Sequence, residues 1–373
     1  MNISKNRLII SAKPVGRFLM DSCRWSAPEV FPLHQILSSM LGFTLPLVIG
    51  IITGHVPISL AVAFGGLALS SNTGETSRRQ LQDGLYTLIA GSLAVFTGAS
   101  VAGNGLWSFF IIPFIVAFAG LVGGINRIMA WATTQFIVFT IIATNFSVHK
   151  ASPLAITILF LIGGIYTITL SLILRTLFKP VSPIGEASRS KYTAKQVLTR
   201  WCKSLVHFSG WLYPARIFTC LIIAEIFEQI YPHHHGYWVL LTVAILVKRK
   251  NDTMTLQIFQ RAAGTVLGVI VADIVLLWSP SVWFTVAIIA VIAGARPILK
   301  QAHYISYSTA MVPLVILLSG FGKDLPGDVI SDRIITTFIG CFLSLTLGYW
   351  FWIKHSLKEQ YLISNKHSQR LLE

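Results

Sequence analysis

Residues 231–250 read YPHHHGYWVLLTVAILVKRK. Three histidines open the stretch, an apolar run follows, and a basic cluster closes it. It is either a ligand loop on a soluble domain or one complete membrane crossing, and composition decides between them. Charged residues are 12% of the 373, about half of the ~25% usual in soluble domains. Hydrophobic residues are 54% and mean hydropathy is +0.70. That leaves too few charges to coat the roughly two or three domains a soluble chain of this length would form. Over most of its length the chain has lipid as its solvent.

A crossing takes ~20 mainly apolar residues. Six segments qualify in the first half: 36–53, 56–70, 85–103, 106–122, 128–144 and 153–174. Six more follow: 214–231, 235–248, 262–278, 281–295, 302–320 and 332–353. With the N-terminus in the cytoplasm, 26 of the 29 Lys and Arg fall on inner segments. The outer segments hold Lys150, Lys323 and Arg333. This asymmetry is the positive-inside pattern. It predicts an all-α polytopic membrane protein of about 12 spans with both termini cytoplasmic. The net charge of +15 is thereby an orientation signal that calls for no nucleic acid.

The two sets of six read as a parallel repeat. Each has a short outer hairpin after its first span and a polar inner loop after its second. Each third span carries small residues four apart, Ala90, Ala94, Gly98 and Ala102 in one and Gly264, Gly268 and Ala272 in the other. Such ridges let helices approach closely in lipid. The expected organisation is a basic arm over 1–35, a first repeat over 36–174, a linker over 175–213, a second repeat over 214–353 and a tail over 354–373. Within the linker, Ala194, Val197, Leu198, Trp201, Leu205 and Phe208 recur at helical spacing. Lys191, Lys195, Arg200 and Lys203 lie largely opposite, the pattern of an amphipathic helix on an anionic leaflet.

Within the opening stretch, residues 232–236 fall in an outer loop. Tyr237 and Trp238 are boundary aromatics, and Lys248, Arg249 and Lys250 flank the inner end. His233, His234 and His235 are adjacent, so their side chains do not converge on one metal, and no acid or cysteine joins them in the loop. Cys23, Cys202, Cys220 and Cys341 form no C-x-x-C pair. No metal and no cofactor is expected. H-E-x-x-H, G-x-S-x-G and Walker A motifs are all absent from the sequence, so no enzyme is expected.

HGYWVLLTVAIL, a basic inner loop and then RAAGTVLGVIVADI resemble the fusaric acid resistance family. The signature is H-x-YW-x-x-LT, followed about 25 residues later by R-x-x-GT-x-x-G. His235, Tyr237, Trp238, Leu241, Thr242, Arg261, Gly264, Thr265 and Gly268 fit it. The resemblance covers the second set well and the first only through its layout and the Arg78–Arg79 loop. It implies export of small organic anions, aromatic carboxylic acids foremost, from a multi-pass protein of the inner membrane. Long members of that family carry large cytoplasmic regions, and this linker and tail are too short for one.

Arg261, at the inner entrance of the ninth span, is placed to meet a carboxylate bidentately. With Gly264, Thr265, Gly268, Tyr237 and Trp238 it makes the candidate substrate site. A headgroup anchor and close helix packing explain the same residues. Arg78, Arg79, Arg127, Lys248 and Arg296 would form an attracting inner funnel, and topology alone explains them too. Trp131, Phe136, Phe139, Tyr304 and Tyr307 are candidate stacking aromatics. Pro46, Pro113 and Pro313 interrupt spans. Glu225 and Asp273, the two acids well inside spans, are expected to face the bundle interior and are candidates for proton coupling. The leading reading is a secondary exporter of organic anions. A passive anion channel and a membrane scaffold stand as alternatives. The partners are the anion and the bilayer, with the oligomeric state left open.

Overall fold

The structure is a computed structural model and describes residues 33–69, 77–102, 106–146, 152–178, 193–231, 235–249, 254–278, 281–321 and 328–352. The basic arm up to residue 32, His233, His234, Lys191 and the tail lie outside the described residues. Helices are α1 Leu33–Thr53, α2 Val56–Leu69, α3 Ser77–Val101, α4 Leu106–Val122, α5 Arg127–Phe146 and α6 Pro153–Leu177. Next come α7 Ala194–Val206, α8 Phe208–Ile230, α9 Tyr237–Leu246 and α10 Met254–Leu277. Last are α11 Val282–Ala302, α12 Tyr304–Ser319, α13 Asp328–Thr346 and a 3₁₀ turn, Trp350–Trp352. Among the described residues, eight helices are long and apolar enough to cross a membrane, and four shorter apolar ones lie between them. These elements fall at the twelve expected positions.

Several helices begin earlier than hydropathy alone sets them. The third starts at Ser77 instead of 85, the eighth at Phe208 instead of 214, and the tenth at Met254 instead of 262. A helix continues past the hydrocarbon while its backbone bonds remain paired, so its polar first turns carry no hydropathy signal. Arg78 and Arg79 therefore sit in the first turn of α3, and Arg261 lies two turns inside α10 rather than at its mouth.

The same packing is used in both sets. In the first, α3 packs on α5 and α6, α2 on α6, and α1 on α2. In the second, α10 packs on α12 and α13, α9 on α13, and α8 on α9. The contacts between sets are reciprocal: α4 packs on α8 and α11 on α1. The buried cores follow suit. One core joins α2, α3, α5 and α6, and another joins the equivalent α9, α10, α12 and α13. Two more straddle the sets, one uniting α1 and α2 with α11 and α12, the other centred on α4, α5, α8 and α9.

Close approach is bought with glycine. A Cβ on Gly98 of α3 would lie 2.4 Å from the Thr140 carbonyl oxygen of α5. One on Gly268 of α10 would lie 2.6 Å from the Thr309 carbonyl oxygen of α12. Gly163 of α6 faces the Val62 carbonyl oxygen and Gly340 of α13 faces that of Val239, at 1.9 and 3.2 Å. These matched contacts align the sets residue by residue. They also shift the expected ridge, because Gly84, Gly91, Ala94, Gly98 and Ala99 are the buried small residues of α3 while Ala90 is only half-buried.

The linker segment forms α7, opened by a capping box between Thr193 and Gln196. Trp201 donates its indole N–H to the Leu121 carbonyl, 3.0 Å away. Lys195, Arg200 and Lys203 are exposed. Helix α7 is thus tied to the end of α4, at the face where α3, α5, α8 and α10 begin, called here the basic face.

Candidate functional site

The matched glycines show where the two sets have diverged. Two helical turns back from Gly98 stands Gly91, and from Gly268 stands Arg261. The same step from Gly163 and Gly340 pairs Ile156 with Arg333, and one residue back from the matched Val62 and Val239 stand Ala61 and Trp238. In the first set the resulting space is a small apolar cavity lined by Ala61, Val95, Phe139, Ile156 and Phe160. Phe139 and Phe160 close it edge to face, centroids 5.3 Å apart. The equivalent positions in the second set are Trp238, Thr265, Ser308, Arg333 and Thr337. One fold position is greasy in one half and cationic in the other.

Arg261 is 3% exposed and Arg333 is 1% exposed. A charged arginine near the middle of a span costs ~2.5–3.5 kcal/mol on insertion scales, so two together are not incidental. Trp238, fully buried, lies under the Arg333 guanidinium at 4.8 Å from the ring centroid, a cation–π contact worth ~2 kcal/mol when desolvated. Tyr304 of α12 lies within electrostatic range of Arg261. His235, the one described non-glycine residue with positive φ at 48°, stacks on Trp238 at 4.7 Å and 15°. Its Nδ1 lies 3.1 Å from Asp332 Oδ2. The H-x-Y-W stretch thus builds the wall and its cap.

Charged and phenolic groups continue from here in both directions. Toward the basic face, Tyr307 lies within electrostatic range of Arg261, Arg296 and Lys300. Lys300 in turn is within range of Arg296 and Lys248. Lys300 also sits over the Trp131 ring at 4.6 Å, joining α11 to α5 across the two sets. Toward the opposite face, Arg333 is within range of Tyr237, Tyr237 of Glu228, and Glu228 of Glu225. Cations thus occupy the line from the basic face to mid-depth, and acids its far end.

The expected site residues divide accordingly. Arg261, Tyr237 and Trp238 come together. Gly264 and Gly268 serve close packing, a Cβ on Gly264 meeting that of Ser308 at 2.6 Å. The Thr265 hydroxyl donates to the Arg261 carbonyl at 2.8 Å within its own helix. Of the funnel residues, Lys248 and Arg296 join the line, while Arg78, Arg79 and Arg127 are exposed at helix starts. Glu225 is 3% exposed with Oε1 lacking a hydrogen-bond partner. Asp273 does not share this placement: it lies on the exposed side of α10, beside Ile270 and Ile274. Depth along a helix could be read from spacing, but which side faces inward was set by the Gly264–Gly268 contact. Phe139 belongs to the apolar counterpart in the first set. Arg333 and Lys300 were missed. Arg333 counted only as an outer-segment charge, yet an Asp-Arg pair one turn into an apolar helix is a visible signal.

Fold and site define a multi-pass helical membrane protein with a charged line through its second set of helices. Residues 220–347 match the family described as fusaric acid resistance protein-like. An uncharacterized protein of Neisseria gonorrhoeae is 39% identical over 121 residues, 31% of this chain and 28% of that protein. The inner membrane protein YccS of Escherichia coli is 26% identical over 159 residues, 41% of this chain and 22% of that protein. An uncharacterized protein of Haemophilus influenzae is 26% identical over 161 residues, 42% and 21% respectively. The matches thus span about a fifth to a quarter of these relatives' own lengths. No solved structure matches the chain.

Proposed function

We propose that this protein is an inner-membrane secondary transporter that exports small organic anions, aromatic carboxylic acids foremost, with both termini cytoplasmic. The observation that carries this reading is the line of cations, Lys300 and Arg296 toward the inner end of α11 and Arg261 and Arg333 buried inside helices that lipid would otherwise reject. A line of one sign attracts its opposite and passes it between successive sites. Lys248, Arg296 and Lys300 gather the anion at the cytoplasmic face. Arg261 and Arg333 hold its carboxylate, Tyr237 and Tyr304 offer ring faces, and Trp238 seats the Arg333 guanidinium. The substrate leaves chemically unchanged. Glu225, buried with a free oxygen and backed by Glu228, couples proton entry to anion exit. The YccS name supports the inner membrane, and the basic face supports the orientation. The repeats over 36–174 and 214–353 rock about their reciprocal contacts.

The test is uptake of radiolabelled benzoate into proteoliposomes preloaded with unlabelled acid. Arg261→Gln should lower the rate tenfold or more at unchanged reconstitution. Full activity in that variant overturns the reading. Flux in the wild type that ignores an imposed pH gradient would favour a passive channel.

A further inference from the structure

We propose that Arg261 and Arg333 enclose a binding site for a small inorganic anion of chloride size, carried as a resident counter-ion when no organic anion is present. Both guanidiniums are at least nine-tenths buried, and they bear on each other electrostatically. Among the described residues, the charges that bear on Arg333 are Arg261 and the Tyr237 hydroxyl. The neighbouring acid, Asp332, is engaged with His235. Arg333 Nε and Nη1, Arg261 Nε and Thr337 Oγ1 are fully buried without a hydrogen-bond partner. Thr337 lies one turn from Arg333 on the same helix, so its hydroxyl shares that side. Trp238 covers the Arg333 face and leaves its N–H edge as the donor.

Like charges buried within electrostatic range of each other and donors left unmade are both strongly unfavourable, and one anion between them relieves both. The size follows from the walls. Trp238, Thr265, Ser308 and Thr337 are all fully buried, and Gly264 is packed against Ser308. An aromatic acid would have to part α10 from α12 to enter, whereas a monatomic anion would not. The inference rests on the same arginines as the proposed path but not on transport.

The experiment is thermal unfolding of the full chain in detergent, titrated with sodium chloride against sodium gluconate at constant ionic strength. The expected result is a saturable binding signature in which the melting temperature rises with chloride. Each tenfold rise above the dissociation constant adds about 1.4 kcal/mol. Arg333→Gln and Arg261→Gln should abolish the chloride dependence. Arg175→Gln, which removes a buried arginine already bonded to Gln80 at 2.8 Å, should keep it. Chloride-35 NMR of the wild type gives a second reading that needs no variant: line broadening reversed by bromide is expected. A melting temperature indifferent to chloride, stabilisation by benzoate alone, or an equal chloride shift in Arg333→Gln overturns the inference. Chloride binding without benzoate flux would leave it standing while the transporter reading fails.

Discussion

Arg333 shows how much chemistry a single buried side chain can concentrate. Its guanidinium is seated on a ring face, and among the described residues its Nε and Nη1 have no hydrogen-bond partner, so that edge is available to a ligand. Arg333→Gln should cost benzoate flux at least tenfold while the protein still inserts. Arg333→Lys should restore only part of it, because an ammonium lacks the planar fork. Trp238→Leu keeps the apolar bulk but removes the cation–π contact, and should lower apparent affinity more than maximal rate, read as a KM rise in the same assay. The two interior acids make a sharper pair. Glu225→Gln should abolish the response of flux to an imposed pH gradient. Asp273→Asn, on the exposed side of α10, should leave that response intact. A gradient response retained in Glu225→Gln would return this residue to a structural role.

At the scale of helices, the glycine contacts set the spacing that brings opposite side chains together. Gly163 and Gly340 occupy matched places, but their tolerances differ. A Cβ on Gly163 would lie 1.9 Å from backbone oxygen, while that on Gly340 would meet the Thr242 side chain at 2.7 Å. Side chains can shift and backbones in packed helices cannot. Gly163→Ala should therefore destabilise by ~1–3 kcal/mol or misassemble, and Gly340→Ala by less. Gly294→Ala, whose nearest contact would be 3.4 Å, should be near neutral. The melting temperatures of the three variants in detergent check this order. Their effects report packing alone, since none of these glycines touches the arginines.

At the scale of the whole molecule, each set keeps one core of its own and shares two more with the other. Helices α4 and α8, and α11 and α1, each bury one face against the other set. Residues 1–178 and 193–373 expressed as separate chains should therefore co-purify, with the Ser39 hydroxyl again bonded to the Ala293 carbonyl at 2.6 Å across that boundary. Independent recovery of either piece as a stable monomer would contradict the shared cores. A cysteine placed at His234 should react with an impermeant maleimide in intact cells. Labelling only after the cytoplasmic face is opened would reverse the orientation.

Lipid as solvent, the number and places of the apolar segments and the charge asymmetry were all legible in the order of residues. They depend on composition summed along a window, and a bilayer imposes that sum directly. The motif around His235–Thr242 and Arg261–Gly268 was legible too, because it is local. Its partner was not. Arg333 lies 72 residues beyond Arg261 in the chain and reaches it only because α10 and α13 pack together. Gly91, Ile156 and Ala61 look like ordinary packing residues in the sequence. Only the matched glycine contacts reveal them as the apolar equivalents of Arg261, Arg333 and Trp238. Asp273 makes the same point from the other side: an α-helix spreads its residues around a full turn every 3.6 positions. Which of those directions faces protein and which faces lipid is decided by the neighbouring helices.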